Sequence, residues 1–195
     1  LALTGSLPAV RALSRASSAL AEGELLQRED AWDVEIGLDR YLRRCELKTA
    51  ALFGAACELG ALHGEEQTAD LGAFGCRIGL AFQILDDVLD VSGPPERTGK
   101  PRGTDLRDGT VTLPLILARE LDPALRALAL REVRDATAAA GVCDAIIATG
   151  SLRESRRRAL RLVEEAKAAL DGLALEEGQR TALLLVADSV VDRYS

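Results

Sequence analysis

Three aspartates inside an apolar run constrain the fold of this chain more than any other feature. The stretch FQILDDVLDV, residues 82 to 91, places Asp86, Asp87 and Asp90 among side chains that normally lie in a protein interior. At the spacing of a helix, about 100° per residue, these aspartates share one face with Gln83, and an apolar stripe lies beside them. The segment therefore predicts a buried helix with one acidic face.

Helical spacing continues along the whole chain, and no segment shows the alternation that is typical of a strand. The predicted helices cover residues 7–28, 37–63, 65–91, 112–120, 123–139, 142–149, 152–171 and 176–193. Residues 92 to 111 combine glycine, proline and charged side chains, and they form the one long predicted loop. We therefore expect an all-α helical bundle that forms a single domain over residues 1 to 195.

The charge and the cysteine content disfavour several classes of function. Lys and Arg number 24 and Asp and Glu number 31, so the net charge of −7 disfavours binding to nucleic acid or to an anionic membrane. The four cysteines form no CxxC pair and there is one histidine, so neither a structural zinc site nor a disulfide framework is expected. A reducing cytoplasm therefore fits best. No apolar stretch reaches the roughly 18 residues of a transmembrane helix.

The acidic face is unfavourable unless something binds to it. Like charges one helical turn apart repel each other, and acids in the last turns of a helix oppose its dipole. A divalent cation between the carboxylates would remove this penalty. Mg²⁺ suits the site because it takes oxygen ligands and is commonly shared with phosphates. A solvated acidic helix end is the alternative.

Three glycines continue the acidic face towards the start of the same helix. Gly72, Gly75 and Gly79 lie within about 40° of Asp86 around the helix axis. They could form the floor of a cavity that holds a ligand. Close packing against a neighbouring helix explains the same glycines equally well, and the sequence leaves both explanations open.

Two lysines could meet a phosphate beside this helix. Lys48 shares a helix face with Tyr41 and Leu52, so it points into the bundle and needs an anionic partner, either a neighbouring carboxylate or a phosphate. Lys100 follows the acidic helix in the long loop, where it suits a flexible cationic lid or an ordinary solvated loop. A P-loop is excluded there, because a helix precedes the loop and Pro101 follows the lysine.

Four motifs, in the right order, resemble those of the trans-isoprenyl diphosphate synthases, the polyprenyl synthetase family. That family's second aspartate-rich motif resembles GLAFQILDDVLDVSG, and the segment after it resembles TGKPRGTDLRDGTVTLPLILA. Its Lys-Thr helix is similar to YLRRCELKTAALF, and the glycine–glutamine motif before that helix is similar to AEGELLQ. The motifs span residues 21 to 118. The resemblance implies an all-α isoprenoid-synthase fold that usually forms a homodimer.

The resemblance also implies an activity and a set of site residues. Members of the family join isopentenyl diphosphate head to tail to an allylic diphosphate, and they depend on Mg²⁺. By resemblance, Asp86, Asp87 and Asp90 would hold Mg²⁺ on the allylic diphosphate, with Asp86 as the expected direct ligand. The two lysines would contact the diphosphate oxygens during catalysis. The substrate-binding residues would be Lys48, Thr49, Gln83, Lys100 and Asp105.

One part of the family pattern is absent from this sequence. Members of the family carry a first aspartate-rich motif on an upstream helix and an isopentenyl diphosphate site before it, and neither stands before Leu1. We therefore expect further helices before Leu1, and we expect residues 1 to 195 alone to make no prenyl product. A non-catalytic partner subunit of a heteromeric synthase and a terpene cyclase on the same fold are the alternatives.

Overall fold

The regular elements of the structure are helices, as the sequence pattern predicts. The computed structural model describes residues 5–64, 68–93 and 101–192, and strands are absent from these ranges. The predicted all-α class is confirmed. Within the same ranges, each helix is too short or too polar to cross a membrane.

Ten α-helices lie within the described ranges, in the following order along the chain. Their bounds are α1 (Leu7–Glu29), α2 (Leu38–Cys45), α3 (Ala51–Gly64), α4 (Thr68–Ser92), α5 (Thr104–Arg107), α6 (Leu113–Leu121), α7 (Pro123–Arg126), α8 (Ala136–Ala148), α9 (Ser151–Ala169) and α10 (Glu177–Asp192). A π-helical turn, Glu46–Ala50, joins α2 to α3 without a break. Single 3₁₀ turns cover Leu130–Glu132 and Leu170–Gly172.

The helix predicted over residues 123–139 is wrong, and so is the break predicted after it. In the structure α7 ends at Arg126, and α8 begins at Ala136 and continues to Ala148. Asp135 sets the start of α8, because its carboxylate accepts a hydrogen bond from the backbone N–H of Ala138 at 2.8 Å. Such a cap satisfies one of the N–H groups that a helix start leaves without a partner inside the helix. The helix predicted over residues 123–139 contains this aspartate at an internal position.

The π-helical turn changes the helix face that was predicted for Leu52. The projection placed Tyr41, Lys48 and Leu52 in one row, which assumes regular α-helical spacing. A π turn contains one extra residue and rotates everything that follows it. Tyr41, before the turn, is fully buried, whereas Leu52, after it, is 39% exposed. The predicted row therefore ends within the turn.

The described residues fall into two compact units. Unit 1 comprises Leu1–Leu25, Arg43–Gln83 and Ala159–Ser195, and unit 2 comprises Leu26–Leu42 and Ile84–Arg158. In unit 2, α6 is almost entirely buried, and α8 buries one face through Ala139, Cys143 and Ile146. These positions recur at the spacing of one helical side. The single domain expected over residues 1 to 195 stays a prediction.

In unit 1, α3 and α4 approach each other so closely that little side chain fits between them. A Cβ added to Gly75 would lie 2.4 Å from the carbonyl oxygen of Phe53, and one added to Gly79 would lie 2.8 Å from Cα of Ala50. At Gly72 the added Cβ would meet the side chain of Glu58 at 2.8 Å. Close helix packing therefore accounts for the three glycines. A cavity floor is not formed there, because α3 and its side chains occupy the space.

Replacing Gly75 with alanine should destabilise the protein, because the new methyl group would clash with the carbonyl of Phe53. We expect the free energy of unfolding to fall by about 1–3 kcal/mol, the usual cost of overpacking. Gly60→Ala on α3 is the matched control, since nothing lies within 4 Å of its added Cβ. It should be neutral or gain up to about 1 kcal/mol. Urea denaturation measures both variants, and equal stabilities would contradict the close packing.

Candidate active site

The three aspartates predicted to bind metal lie on the last turns of α4, in unit 2, and they differ in their exposure to solvent. Asp87 and Asp90 are buried, with exposures of 4% and 3%, whereas Asp86 is partly exposed. Solvent, and any ligand that arrives from it, therefore reaches Asp86 more readily than the other two. Its role as a metal ligand stays a prediction.

Asp87 is held by a tyrosine from α2. The hydroxyl group of Tyr41 donates a hydrogen bond to Oδ2 of Asp87 at 2.5 Å, and both side chains are buried. A hydroxyl–carboxylate bond is charge-assisted and stronger than a bond between neutral groups. The bond fixes Asp87 and offsets part of the cost of burying its carboxylate. Sequence reasoning placed Tyr41 on an inner helix face but gave it no role, although a buried tyrosine hydroxyl usually has a partner.

Asp90 anchors the segment that leads into α5. Its carbonyl oxygen accepts a hydrogen bond from the N–H of Gly103 at 2.8 Å, and its Oδ2 accepts one from the N–H of Asp105 at 3.2 Å. Gly103 has a φ of 75°, a conformation that favours glycine. The structure thus brings Asp105, a predicted substrate-binding residue, next to the acidic end of α4.

Cys143 packs against Gly103, the residue that bonds to the carbonyl of Asp90. Its Sγ is 3.0 Å from the position of a Cβ on Gly103, and its side chain is fully buried. Burial raises the pKa of the Cys143 thiol to about 11, with the nearby carboxylates adding to the shift and Arg102 opposing it. A raised pKa favours the thiol form at neutral pH, and the thiol is a weaker nucleophile than the thiolate.

In unit 1, the π-helical turn carries Lys48 and Thr49, which the sequence analysis assigned to the substrate site. The hydroxyl of Thr49 donates a hydrogen bond to Oε1 of Gln83 at 2.7 Å, so these two predicted site residues are in contact. Nζ of Lys48 lies 3.1 Å from Oε1 of Glu24, and the two side chains are 31% and 48% exposed. The sequence allowed either a carboxylate or a phosphate as the partner of Lys48, and the structure contains the carboxylate, Glu24. π turns are frequent at functional sites.

The glycine of the AEGELLQ motif allows α1 to approach Lys48. A Cβ added to Gly23 would lie 2.6 Å from the backbone nitrogen of Lys48 and 2.9 Å from its Cα. Any larger residue at position 23 would therefore displace the π turn. The motif contributes a close contact to the site, and its Glu24 supplies the ion pair of Lys48.

Part of the predicted site lies outside the residues that the structure describes. Lys100, and residues 94–99 of the predicted lid, are outside the described residues, so their expected roles stay predictions. Among the residues that are described, no three acidic, histidine or cysteine side chains form a ready-made metal site. Mg²⁺ does not require one, because it usually keeps several waters and binds one or two carboxylates together with substrate phosphates. The partly exposed carboxylate of Asp86, beside two buried carboxylates, fits that mode of binding.

Comparison with known proteins identifies the family. The family model described as polyprenyl synthetase matches residues 1–149. The chain is 36% identical to heptaprenyl diphosphate synthase component 2 of Geobacillus stearothermophilus, over 90% of this chain and 56% of that protein. It is also 36% identical to octaprenyl diphosphate synthase of Escherichia coli, over 97% of this chain and 60% of that protein. This chain belongs to the polyprenyl synthetase family.

Solved structures of polyprenyl synthetases agree with this assignment. The polyprenyl synthase of Caulobacter crescentus, solved in complex with calcium and isoprenyl diphosphate, superposes with a TM-score of 0.90 at 35% identity. The match covers 100% of this chain and 61% of that one. The expected isoprenoid-synthase fold is therefore confirmed. The chain spans 56% to 61% of the length of these relatives.

Removing the hydroxyl group of Tyr41 should destabilise the fold. Tyr41→Phe keeps the buried ring but deletes the hydrogen bond to the carboxylate of Asp87. We expect a loss of about 1–3 kcal/mol in the free energy of unfolding, as is usual for a bond to a charged group. Ser189→Ala is the control, because it removes a hydrogen bond from an exposed hydroxyl on α10 and should cost less than about 0.5 kcal/mol. Equal losses in thermal denaturation would rule out a special contribution from Tyr41.

Proposed function

We propose that the complete gene product is a Mg²⁺-dependent prenyltransferase, which condenses isopentenyl diphosphate with an allylic diphosphate to give a longer prenyl diphosphate. The observation that carries the proposal is the acidic end of α4, where Asp86 is partly exposed while Tyr41 and the N–H of Asp105 hold the two buried aspartates. Membership of the polyprenyl synthetase family supports this activity. The relatives named as heptaprenyl and octaprenyl diphosphate synthases support it further.

The acidic end of α4 would serve the departure of the diphosphate. Mg²⁺, when bound, supplies positive charge that stabilises the negative charge developing on the leaving group. Asp86 would hold the ion directly. Asp87 and Asp90, which are buried, would add negative charge near the ion. The hydrogen bonds that they accept from the Tyr41 hydroxyl and from the N–H of Asp105 would keep this end of α4 in place.

The π-helical turn of unit 1 would bind the diphosphate oxygens. The ion pair between Lys48 and Glu24 is partly exposed, and such pairs contribute little free energy. Lys48 can therefore exchange Glu24 for a phosphate at low cost, and it would stabilise charge on the leaving group. Thr49 and Gln83, which already bond to each other, would complete this part of the substrate site. In unit 2, Asp105 is the residue that the family resemblance assigns to substrate binding.

We further propose that the protein forms a homodimer in the cytoplasm. The apolar side chains exposed along α1 support an interface between chains, and they are Leu7, Val10, Leu13 and Leu25. All four cysteines lie within the described residues and form no disulfide there, which suits a reducing compartment. Because one relative is named as a component of heptaprenyl diphosphate synthase, a heteromeric synthase is the alternative. Light scattering of the complete gene product separates the two.

Asp86→Asn should remove most of the prenyltransferase activity of the complete gene product without unfolding it. We expect kcat to fall by about 10²-fold or more, the usual loss when a charged group of the transition-state clamp is removed. The control is Asp70→Asn, in the first turn of the same helix, which should keep activity within about twofold. Elongation is assayed with Mg²⁺ and mass analysis of the products. Near-normal turnover, or unfolding in the absence of metal, would contradict the assigned role of Asp86.

Lys48→Met should weaken the binding of an allylic diphosphate more than it weakens the fold. The apolar stem of the side chain is roughly preserved, and the charge that would face the phosphate is lost. Loss of one charged hydrogen-bond donor predicts an affinity about tenfold lower or more. Glu24→Gln removes the other half of the ion pair and should leave the affinity unchanged or higher. Calorimetric titration with a non-hydrolysable analogue distinguishes the two, and unchanged affinity in both variants would leave Lys48 as an ion-pair partner only.

A further inference from the structure

Trp32, the single tryptophan of this chain, has a backbone conformation that bulky residues avoid. It lies between α1 and α2 with a φ of 69°, and within the described ranges it is the one residue other than glycine with a positive φ. A bulky side chain in this left-handed region is a genuine outlier. Such a conformation persists where the surrounding structure over-determines it. The contacts of Trp32 therefore need an explanation.

Two of those contacts are with Gly109, and a third is with Arg131. The backbone N–H of Trp32 donates a hydrogen bond to the carbonyl oxygen of Gly109 at 2.8 Å. The indole ring lies flush against the same residue, because a Cβ added to Gly109 would lie 2.5 Å from two ring carbons. The guanidinium group of Arg131 stands 5.6 Å from the ring centroid, a cation–π distance. Any side chain at position 109 would therefore clash with the indole ring of Trp32.

Gly109 ends a short segment whose beginning is bonded to the acidic helix. The N–H of Thr110 donates to the carbonyl oxygen of Asp105 at 2.8 Å, which closes the segment into a compact loop. The N–H groups of Gly103 and Asp105 bond to the carbonyl and the carboxylate of Asp90. The segment from 103 to 110 is therefore held by Asp90 at one end and by Trp32 at the other. Every one of these residues belongs to unit 2.

Ordinary core packing does not account for this arrangement. Trp32 is partly exposed, so burial of the indole is incomplete, and its backbone adopts an unfavourable angle to reach Gly109. A turn that merely joins α1 to α2 needs neither feature. What the contacts share is that they hold the loop carrying Asp105 at both of its ends.

We propose that Trp32 is a positioning residue for the carboxylates at the end of α4. It fixes the loop from 103 to 110, and through that loop it sets the positions of Asp90 and Asp105. The inference rests on the proposed function, because it assigns Trp32 to the site that would bind Mg²⁺ and diphosphate. Trp32 itself touches neither, so its effect passes through the loop.

The test compares binding and stability in variants of the complete gene product. Trp32→Ala removes the contact with Gly109, and Trp32→Phe keeps an aromatic ring there. Leu125→Ala is the matched control, since Leu125 is 4% exposed on α7 of the same unit and its loss costs packing alone. The readouts are calorimetric affinity for inorganic pyrophosphate with Mg²⁺, the half-saturating Mg²⁺ concentration, KM and kcat for the allylic diphosphate, and the urea midpoint.

We expect Trp32→Ala to weaken pyrophosphate binding and to raise the half-saturating Mg²⁺ concentration by about tenfold, as is usual when a group that supports metal ligands is lost. Trp32→Phe should bind pyrophosphate and Mg²⁺ more tightly than Trp32→Ala, because it keeps an aromatic ring against Gly109. Leu125→Ala should lower the urea midpoint and leave the pyrophosphate affinity unchanged. If Trp32→Ala does not fold, Trp32→Leu fills more of the space, and the same weakening is expected of it.

Emission spectra add an independent signal. The difference between the parent protein and Trp32→Phe isolates the fluorescence of Trp32, even if the complete gene product contains other tryptophans. Because the loop connects Trp32 to Asp90, Mg²⁺ and pyrophosphate together should change this difference spectrum. An unchanged spectrum at saturating ligand would count against the connection.

Failure of the inference and failure of the proposed function give different results. Parent-like pyrophosphate binding in Trp32→Ala, or equal weakening in Leu125→Ala, would overturn the positioning role and leave the prenyltransferase intact. A parent protein that binds pyrophosphate with Mg²⁺ but makes no prenyl product would overturn the prenyltransferase, and the binding comparison would still decide the role of Trp32. A parent protein that does not bind pyrophosphate would overturn both.

Discussion

The burial of two carboxylates at the end of α4 is the constraint on which unit 2 depends. An ionised carboxylate is costly in an apolar interior unless hydrogen bonds replace the lost water. Tyr41 supplies one such bond from α2, and the N–H of Asp105 supplies another from the start of α5. The position of α2 and the path of the chain after α4 are therefore both tied to the need to solvate Asp87 and Asp90. Asp86, which is partly exposed, can take a different role.

Much of the fold was readable from the sequence because packing in a helical bundle follows a simple period. The bounds of α1, α4, α6, α9 and α10 lie within a few residues of their predictions. The errors arose where a local feature changed the backbone of a helix. Asp135 caps α8 and splits a predicted helix, although capping aspartates resemble ordinary surface aspartates in a periodic pattern. The π turn at Glu46–Ala50 leaves no signature in hydrophobic spacing.

The sequence predicts which residues form the candidate site, but it does not predict which of them are buried and which are exposed. Spacing on a helix places Asp86, Asp87 and Asp90 on one face, yet it does not say which carboxylates are buried, because burial depends on residues 46 positions away, such as Tyr41. The glycines of α4 illustrate the same limit. A pattern of small residues suits a cavity and a close helix contact equally, and only the position of α3 decides between them.

The π turn has a consequence for how freely this chain can vary in length. It holds one residue more than a regular α-helix would need between Tyr41 and Phe53. Deleting that residue would restore regular α-helical spacing and leave the later side chains of α3 on the faces that they now occupy. Phe53 and Gly54 would stay in the seam where the backbones of α3 and α4 meet. The turn that presents Lys48 and Thr49 can therefore lose its extra residue while the core keeps its register, so this surface can vary in length independently of the seam.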